Sequence, residues 1–270
     1  MTSATDRRES RVATSEIEVG GSRIRLLTAG EGEPLLYLHG AGDSGSWLPV
    51  LTELAADHTV HRPDLPGFTH STPSDQIASV HDMAFVMLDL LTELGIDTVK
   101  LVGSSLGGWL AADMASIEPG RVSHLVLIGP AGLRPSGGHP ADMFVMTPPE
   151  IAAATWADPD LRSATLDAVA ALDDDQDAML IHLRNRAATA GLGWNPYFHE
   201  PALRNRLHRI RAKTLVAWGE QDGLLPASLT EEWVAAVPGA QSRRFTPCGH
   251  LPHIETASEF IETARPFLAG

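Results

Sequence analysis

Lys100-Leu-Val-Gly103-Ser104-Ser105-Leu106-Gly107-Gly108-Trp109 carries a Gly-x-Ser-x-Gly pattern between a short apolar run and the start of an amphipathic stretch. A strand that turns sharply into a helix at such a pattern lifts the middle serine above the sheet edge. Gly103 and Gly107 lack the Cβ atoms that would collide across the bend. Only Ser105 has glycine at both minus two and plus two, so Ser105 is the candidate nucleophile and Ser104 lies beside the turn. The first N–H groups of the following helix point toward whatever the serine attacks.

A serine hydroxyl needs a neighbouring base and an acid to orient that base. Downstream, Trp218-Gly-Glu-Gln-Asp222-Gly223 follows an apolar run at 214–217 and places Asp222 in the loop at the strand's end, with Glu220 as the competing acid. Beyond the last strand candidate stands Thr246-Pro-Cys-Gly-His250-Leu-Pro-His253, which makes His250 the candidate base and His253 its competitor. A histidine base stops working once protonated, so turnover is expected to fall on acidification. Cys248, the single cysteine, can form no internal disulfide and no thiolate cage. No elbow surrounds it, so it reads as a small strand-end residue rather than a nucleophile.

Working outward, residues 17–19, 24–28, 35–38, 59–62, 99–102, 125–128, 214–217 and 242–246 read as strands, most of them apolar, the first two forming a hairpin at Gly20-Gly21. Helical lengths fit 46–56, 77–94, 106–117, 227–236 and 257–268. Continuous apolar strands separated by helices predict an α/β fold with a mostly parallel eight-stranded sheet flanked by helices. The alternation breaks at residues 132–208, which read as an inserted helical cap. The core is then 17–131 and 209–270, and residues 1–16 a flexible tail. Thr147-Pro-Pro-Glu150 and Asp158-Pro159 are helix starts within the cap. The run Asp173-Asp-Asp-Gln-Asp177 opens a further helix that stops at Gly191, and it lacks the spacing of a calcium loop.

Composition bounds the function. The chain has 270 residues, a net charge of −14 and 43% hydrophobic residues, which supports a large core and repels phosphate backbones and anionic lipid. No apolar run reaches the roughly 18 residues of a membrane span. The expectation is a cytoplasmic protein with a small-molecule substrate, no nucleic-acid partner, no membrane insertion, no metal and no cofactor. The first residues carry charges but no apolar signal region.

These motifs together resemble the α/β-hydrolase fold superfamily, in its serine-nucleophile branch with a helical cap. The order Ser105, Asp222, His250 is similar to the family's order of nucleophile, acid and histidine. Leu38-His39-Gly40-Ala41-Gly42 resembles its oxyanion loop, and Asp64-Leu-Pro-Gly67-Phe68 its usual segment after the fourth strand. The resemblance implies an oxyanion hole from the backbone N–H groups of Ala41 and Leu106, with His39 and Asp64 as structural residues. A serine rather than an aspartate in the elbow points away from the dehalogenase and epoxide-hydrolase branches. Ester hydrolysis through an acyl-enzyme is the expected activity. The alternatives are carbon–carbon hydrolysis of the meta-cleavage type and a ligand receptor with little turnover. Meta-cleavage hydrolases typically show His-Gly-x-Gly-Pro-Gly, Gly-Asn-Ser and Gly-His-Trp. Here stand His39-Gly-Ala-Gly-Asp43-Ser44, Gly103-Ser-Ser105 and Gly249-His-Leu251. Trp109, Met143, Phe144, Met146, Trp156 and Trp194 are candidate pocket residues under the cap, with plain packing as the competing account.

Overall fold

The computed structural model describes residues 12–43 and 45–270, so the expected tail at residues 1–11 lies outside the described residues. Strand β1 (Ala13–Val19) starts four residues earlier than the tail expectation allowed. It pairs antiparallel with β2 (Ser22–Ala29), with Val19 opposite Ser22. Gly20 and Gly21 turn the hairpin at φ 56° and 72°, the left-handed pair that a two-residue hairpin requires.

The remaining strands are β3 (Glu33–Leu38), β4 (His58–Pro63), β5 (Val99–Ser104), β6 (Val122–Ile128), β7 (Lys213–Gly219) and β8 (Gln241–Phe245). They form one eight-stranded sheet in the order β1-β2-β4-β3-β5-β6-β7-β8, antiparallel from β1 to β4 across β2 and parallel thereafter. All eight fall where the sequence predicts them. β8, with the sequence Gln-Ser-Arg-Arg-Phe, is a mostly exposed edge strand, and charge on an edge discourages pairing with other chains.

The core helices are α1 (Pro49–Leu54), α2 (Val80–Glu93) and α3 (Leu106–Ile117). Between β6 and β7 come α4 (Pro148–Thr155), α5 (Pro159–Ala171) and α6 (Gln176–Gly193), followed by α7 (Leu229–Ala236), α8 (Pro252–Glu255) and α9 (Ala257–Ala269). Period-two alternation divides the strand side chains between two cores. Leu36 and Leu38 join α2, α3 and α7 on one face, while Leu35 and Tyr37 join α1 and α9 on the other. Residues 132–208 contain no named strand, and their α-helices are α4, α5 and α6. Helix α6 runs two residues past the predicted stop at Gly191. Asp158 accepts from the Asp160 amide and Asp175 from the Ala178 amide, so both predicted helix starts are capped.

β3 leads to β4 on one side of the sheet, while β5 leads to β6 on the other. The loops leaving β3 and β5 therefore diverge and open a crevice at the carboxyl ends of the strands. Two glycines let the chain pass there. A Cβ on Gly107 would stand 2.1 Å from the Leu38 carbonyl oxygen, and one on Gly103 2.2 Å from that of Gly107. Replacing Gly107 by alanine is expected to cost about 1–3 kcal/mol or more of stability. Gly120→Ala, at a position with open space, should stay within about 0.5 kcal/mol of the native protein. Urea unfolding of the two variants checks the contrast.

Candidate active site

Ser105 sits between the last residue of β5 and the first of α3 at φ 53° and ψ −113°. Such a backbone costs a non-glycine residue about 1–3 kcal/mol and persists only where neighbours hold it. Here the Ser105 amide donates to the Ile128 carbonyl at 2.8 Å, and its carbonyl accepts from the amides of Gly108, Trp109 and Ala131 at 3.0–3.1 Å. The neighbouring Ser104 is buried, and by distance and angle its Oγ has no hydrogen-bond partner among the described residues.

The acid and the histidine predicted from sequence are joined. His250 Nδ1 donates to Asp222 Oδ2 at 2.7 Å, while Asp222 Oδ1 accepts from the Leu224 and Leu225 amides at 2.9 Å each. This fixes the imidazole so that Nε2 carries the free lone pair. The His250 amide donates to the Thr155 carbonyl at 2.7 Å, which ties the loop to the end of α4. One dipeptide touches both Ser105 and His250. Ile128 accepts from the Ser105 amide, and a Cβ on Gly129 would stand 3.2 Å from the His250 ring. Ser105 and His250 line the same cavity. The competitors are otherwise engaged: Glu220 is exposed, and His253, although it lines the same cavity, pairs through Nε2 with the Tyr37 hydroxyl at 3.0 Å. Burial pushes the Cys248 thiol up to about 12, so it holds no thiolate at neutral pH.

The loop after β3 is held by buried polar groups. The Leu65 amide donates to His39 Nε2 at 2.9 Å, which leaves Nδ1–H to donate to the Gly40 carbonyl at 2.8 Å. Burial lowers the His39 pKa and keeps the ring neutral. Arg62, fully buried, pairs with Asp43 in the loop and with Asp64 at 2.5 Å. Burial alone would raise the Asp64 carboxyl, but the charged hydrogen bonds from Arg25 and Arg62 hold it at about 2. Ala41 lines the cavity, and Gly40 leaves room beside the Ser105 Cβ, 3.4 Å from where its own would stand. The Leu106 amide is the first of α3, one of those a helix leaves without an internal partner.

The cavity has a volume of about 340 Å³. Of the predicted pocket residues, Met143 and Trp156 line it. Trp109, Phe144 and Trp194 do not, and neither does Met146. Trp109 is buried on α3 against Gly132 and Leu203, Phe144 packs on Trp194 at 5.1 Å between ring centres, and Trp194 is 58% exposed at the end of α6. The sequence reading missed the floor. There Tyr37, Ser104 and His253 line the cavity while almost fully buried, and His253 Nδ1, like Ser104 Oγ, has no hydrogen-bond partner among the described residues. The alternation of β3 points Tyr37 away from Leu36 and Leu38, the one signal that could have found it. Outside this site, His81, Asp113 and Glu200 are spaced as metal ligands could be, but the Arg206 guanidinium bonds Asp113 at 2.5 Å and Glu200 at 2.5 and 2.7 Å. That cluster already has its cation.

Residues 35–263 match the alpha/beta hydrolase family, and the chain belongs to it. It is 30% identical over 292 residues to a 2-hydroxy-6-oxo-6-phenylhexa-2,4-dienoate hydrolase of Burkholderia cepacia, covering 100% of both chains. It is also 32% identical over 266 residues to the dihydrolipoyllysine-residue acetyltransferase component of the acetoin cleaving system of Cupriavidus necator, covering 94% of this chain and 68% of that one. Among solved structures, the 2-hydroxy-6-oxo-6-phenylhexa-2,4-dienoate hydrolase from Rhodococcus sp. strain RHA1 superimposes with a TM-score of 0.78 at 20% identity, over 97% of this chain and 100% of that one. The fold is that of the alpha/beta hydrolases. Among the described residues no helix is long and apolar enough to cross a membrane.

Burial pulls the His253 pKa down to about 3, with the Asp43 charge opposing and His250 adding to the shift. An unfolded histidine binds its proton near about 6.5, so the unfolded state alone takes up a proton between those values. The stability contributed by the neutral ring is complete above about pH 6.5 and is lost as pH falls toward 3. His253→Gln should therefore lose less of its urea midpoint than the wild type between pH 7.5 and 4.5.

Proposed function

We propose that this chain is a serine hydrolase that cleaves the carbon–carbon bond beside a ketone in an unsaturated acid of the ring-fission type. Ser105 is the nucleophile, His250 the base, Asp222 the residue that orients it, and the Ala41 and Leu106 amides the oxyanion donors. Residues 132–208 form the cap over the site. The observation that carries the bond type is the end-to-end 30% identity with the Burkholderia cepacia dienoate hydrolase. The Asp222–His250 pair and the strained Ser105 turn support the catalytic roles.

His250 Nε2 takes the Ser105 proton as Oγ adds to the ketone carbon, and the two amides receive the oxyanion. Collapse breaks the bond to the adjacent chain carbon. The electron pair leaves with that carbon, which is protonated by the imidazolium. Water, deprotonated by His250, then adds to the acyl-serine, releasing a carboxylic acid and restoring the Ser105 hydroxyl. The sum is addition of one water across one carbon–carbon bond.

One observation favours ester hydrolysis as a second reading. Among the described residues lining the cavity there is no lysine or arginine, and Asp43 is its one carboxylate. An uncharged acyl ester meets less opposition there than a carboxylate does. The departures at Asp43, Ser104 and Leu251 from the usual meta-cleavage motifs point the same way.

The two readings separate in one assay. The purified protein is offered 2-hydroxy-6-oxo-6-phenylhexa-2,4-dienoate and p-nitrophenyl butyrate. A kcat/KM at least about tenfold higher for the dienoate supports carbon–carbon cleavage, and the reverse order supports ester hydrolysis. Ser105→Ala should abolish turnover and covalent labelling by a fluorophosphonate, whereas Ser104→Ala should keep the label. Asp222→Asn is expected to lower kcat by about 10³–10⁴ through the wrong imidazole tautomer. Equal labelling of the wild type and Ser105→Ala would remove the assignment.

A further inference from the structure

Asn185 lies on α6, in the middle of the segment between β6 and β7, yet its side chain is buried and both ends of its amide are engaged on core loops. Nδ2 donates to the Asp43 carbonyl at 2.7 Å, and Oδ1 accepts from the Thr69 amide at 2.7 Å. One partner is a carbonyl and the other an N–H, so only this orientation of the amide satisfies both. The two contacts span 142 and 116 residues of sequence. α6 buries just two other residues, Thr189 and Gly193, so Asn185 is its principal polar contact with the core.

Asp43 lies two residues after Ala41 in the loop between β3 and α1. From the core side that loop is held by the His39 contact to Gly40 and by the Arg62 pair to the Asp43 carboxylate. Neither bond fixes the peptide carbonyl at Asp43. Asn185 does, and it reaches the loop from the insertion. A backbone N–H stabilises an oxyanion only if its position is set to a fraction of an ångström, and a displacement of about 1 Å can cost about 10²-fold in rate.

We propose that Asn185 is a positioning residue for the oxyanion donor at Ala41, so that the oxyanion hole is complete only while α6 is seated on the core. The inference rests on the reading of Ser105 as nucleophile and Ala41 as donor. Cap opening and loss of catalytic competence then become one event: withdrawing α6 removes Asn185 from the Asp43 carbonyl and releases the loop. A closed cap would exclude water and arm the site together.

The test reads the rate of covalent labelling by a fluorophosphonate, which requires no knowledge of the natural substrate. Asn185→Ala removes both bonds. Asn185→Asp keeps an acceptor for the Thr69 amide but sets a carboxylate oxygen against the Asp43 carbonyl, and its near-identical shape keeps the test open should the alanine variant not fold. Arg184→Ala is the control, since Arg184 donates only to the Thr69 carbonyl, at 2.7 Å, from the same turn of α6.

Both Asn185 variants should label about 10²-fold more slowly than the wild type. On whichever assay substrate the wild type turns over, kcat should fall while KM stays within about twofold, and Arg184→Ala should label within about twofold of the wild type. Asn185→Ala labelling at the wild-type rate overturns the proposal. So does an Asn185→Asp variant that labels normally while the alanine variant is slow, because the side chain would then act through Thr69 alone. A wild type that takes no label, or keeps it after Ser105→Ala, rejects the nucleophile assignment and this inference with it.

Discussion

The close passage of the β5–α3 turn over the end of β3 governs the whole arrangement. Gly107 lies so near the Leu38 carbonyl that no side chain fits between them, and this contact brings Ser105 beside the loop that starts at His39. The serine's left-handed backbone is unfavourable by itself, and four backbone hydrogen bonds from three separate segments offset the cost. Two of those segments, around Ile128 and Ala131, also lead toward His250 and the insertion. The strain at one residue thus fixes the relation among β3, β5 and β6, and the crevice between diverging loops follows from the strand order.

Around that turn the protein invests in buried charge. Arg62 has no exposed surface and is shared by Asp43 and Asp64, and Asp64 also takes Arg25 at 2.7 Å. Desolvating such groups is costly, and an apolar substitute of similar volume can be as stable. What an apolar cluster lacks is direction. The guanidinium fixes the Asp43 side chain in one place, and that residue closes the loop behind Ala41. The cluster is better understood as geometry for the loop than as a source of stability.

Legibility in the sequence follows the range of the interactions. The inner strands are legible because burial on both faces leaves continuous apolar runs, whereas the exposed β1 and β8 are legible from the hairpin glycines and from their place in the strand–helix alternation; Ser105, Asp222 and His250 each sit in a short pattern at a strand end. The hairpin at Gly20-Gly21 was equally local. The pocket was not. Trp109 and Trp194 are candidates by sequence, but whether an aromatic ring faces the cavity depends on how the insertion docks, and α5 buries no residue of its own to mark an inner face. Tyr37 and His253 stand 216 residues apart and meet across the sheet edge, so no window of sequence contains their pairing. Asn185 was invisible for the same reason, since an asparagine in mid-helix carries no local sign of the two loops it bridges.

The floor and the walls of the cavity set different constraints on what enters. The walls contributed by the insertion and the loop after β7, such as Ile151, Trp156 and Leu225, exchange apolar surface with a ligand and discriminate shape weakly. The floor is stricter. Tyr37, Ser104 and His253 are almost completely buried, so they shape that end of the cavity and leave it little room to adapt. Among the described lining residues there is no lysine or arginine, so an anionic group would meet no cationic lysine or arginine there. The loop after β3, which carries Ala41, meets helix α6 of the insertion through the Asn185 amide, so the proposed oxyanion donor and the segment that walls the cavity are physically joined.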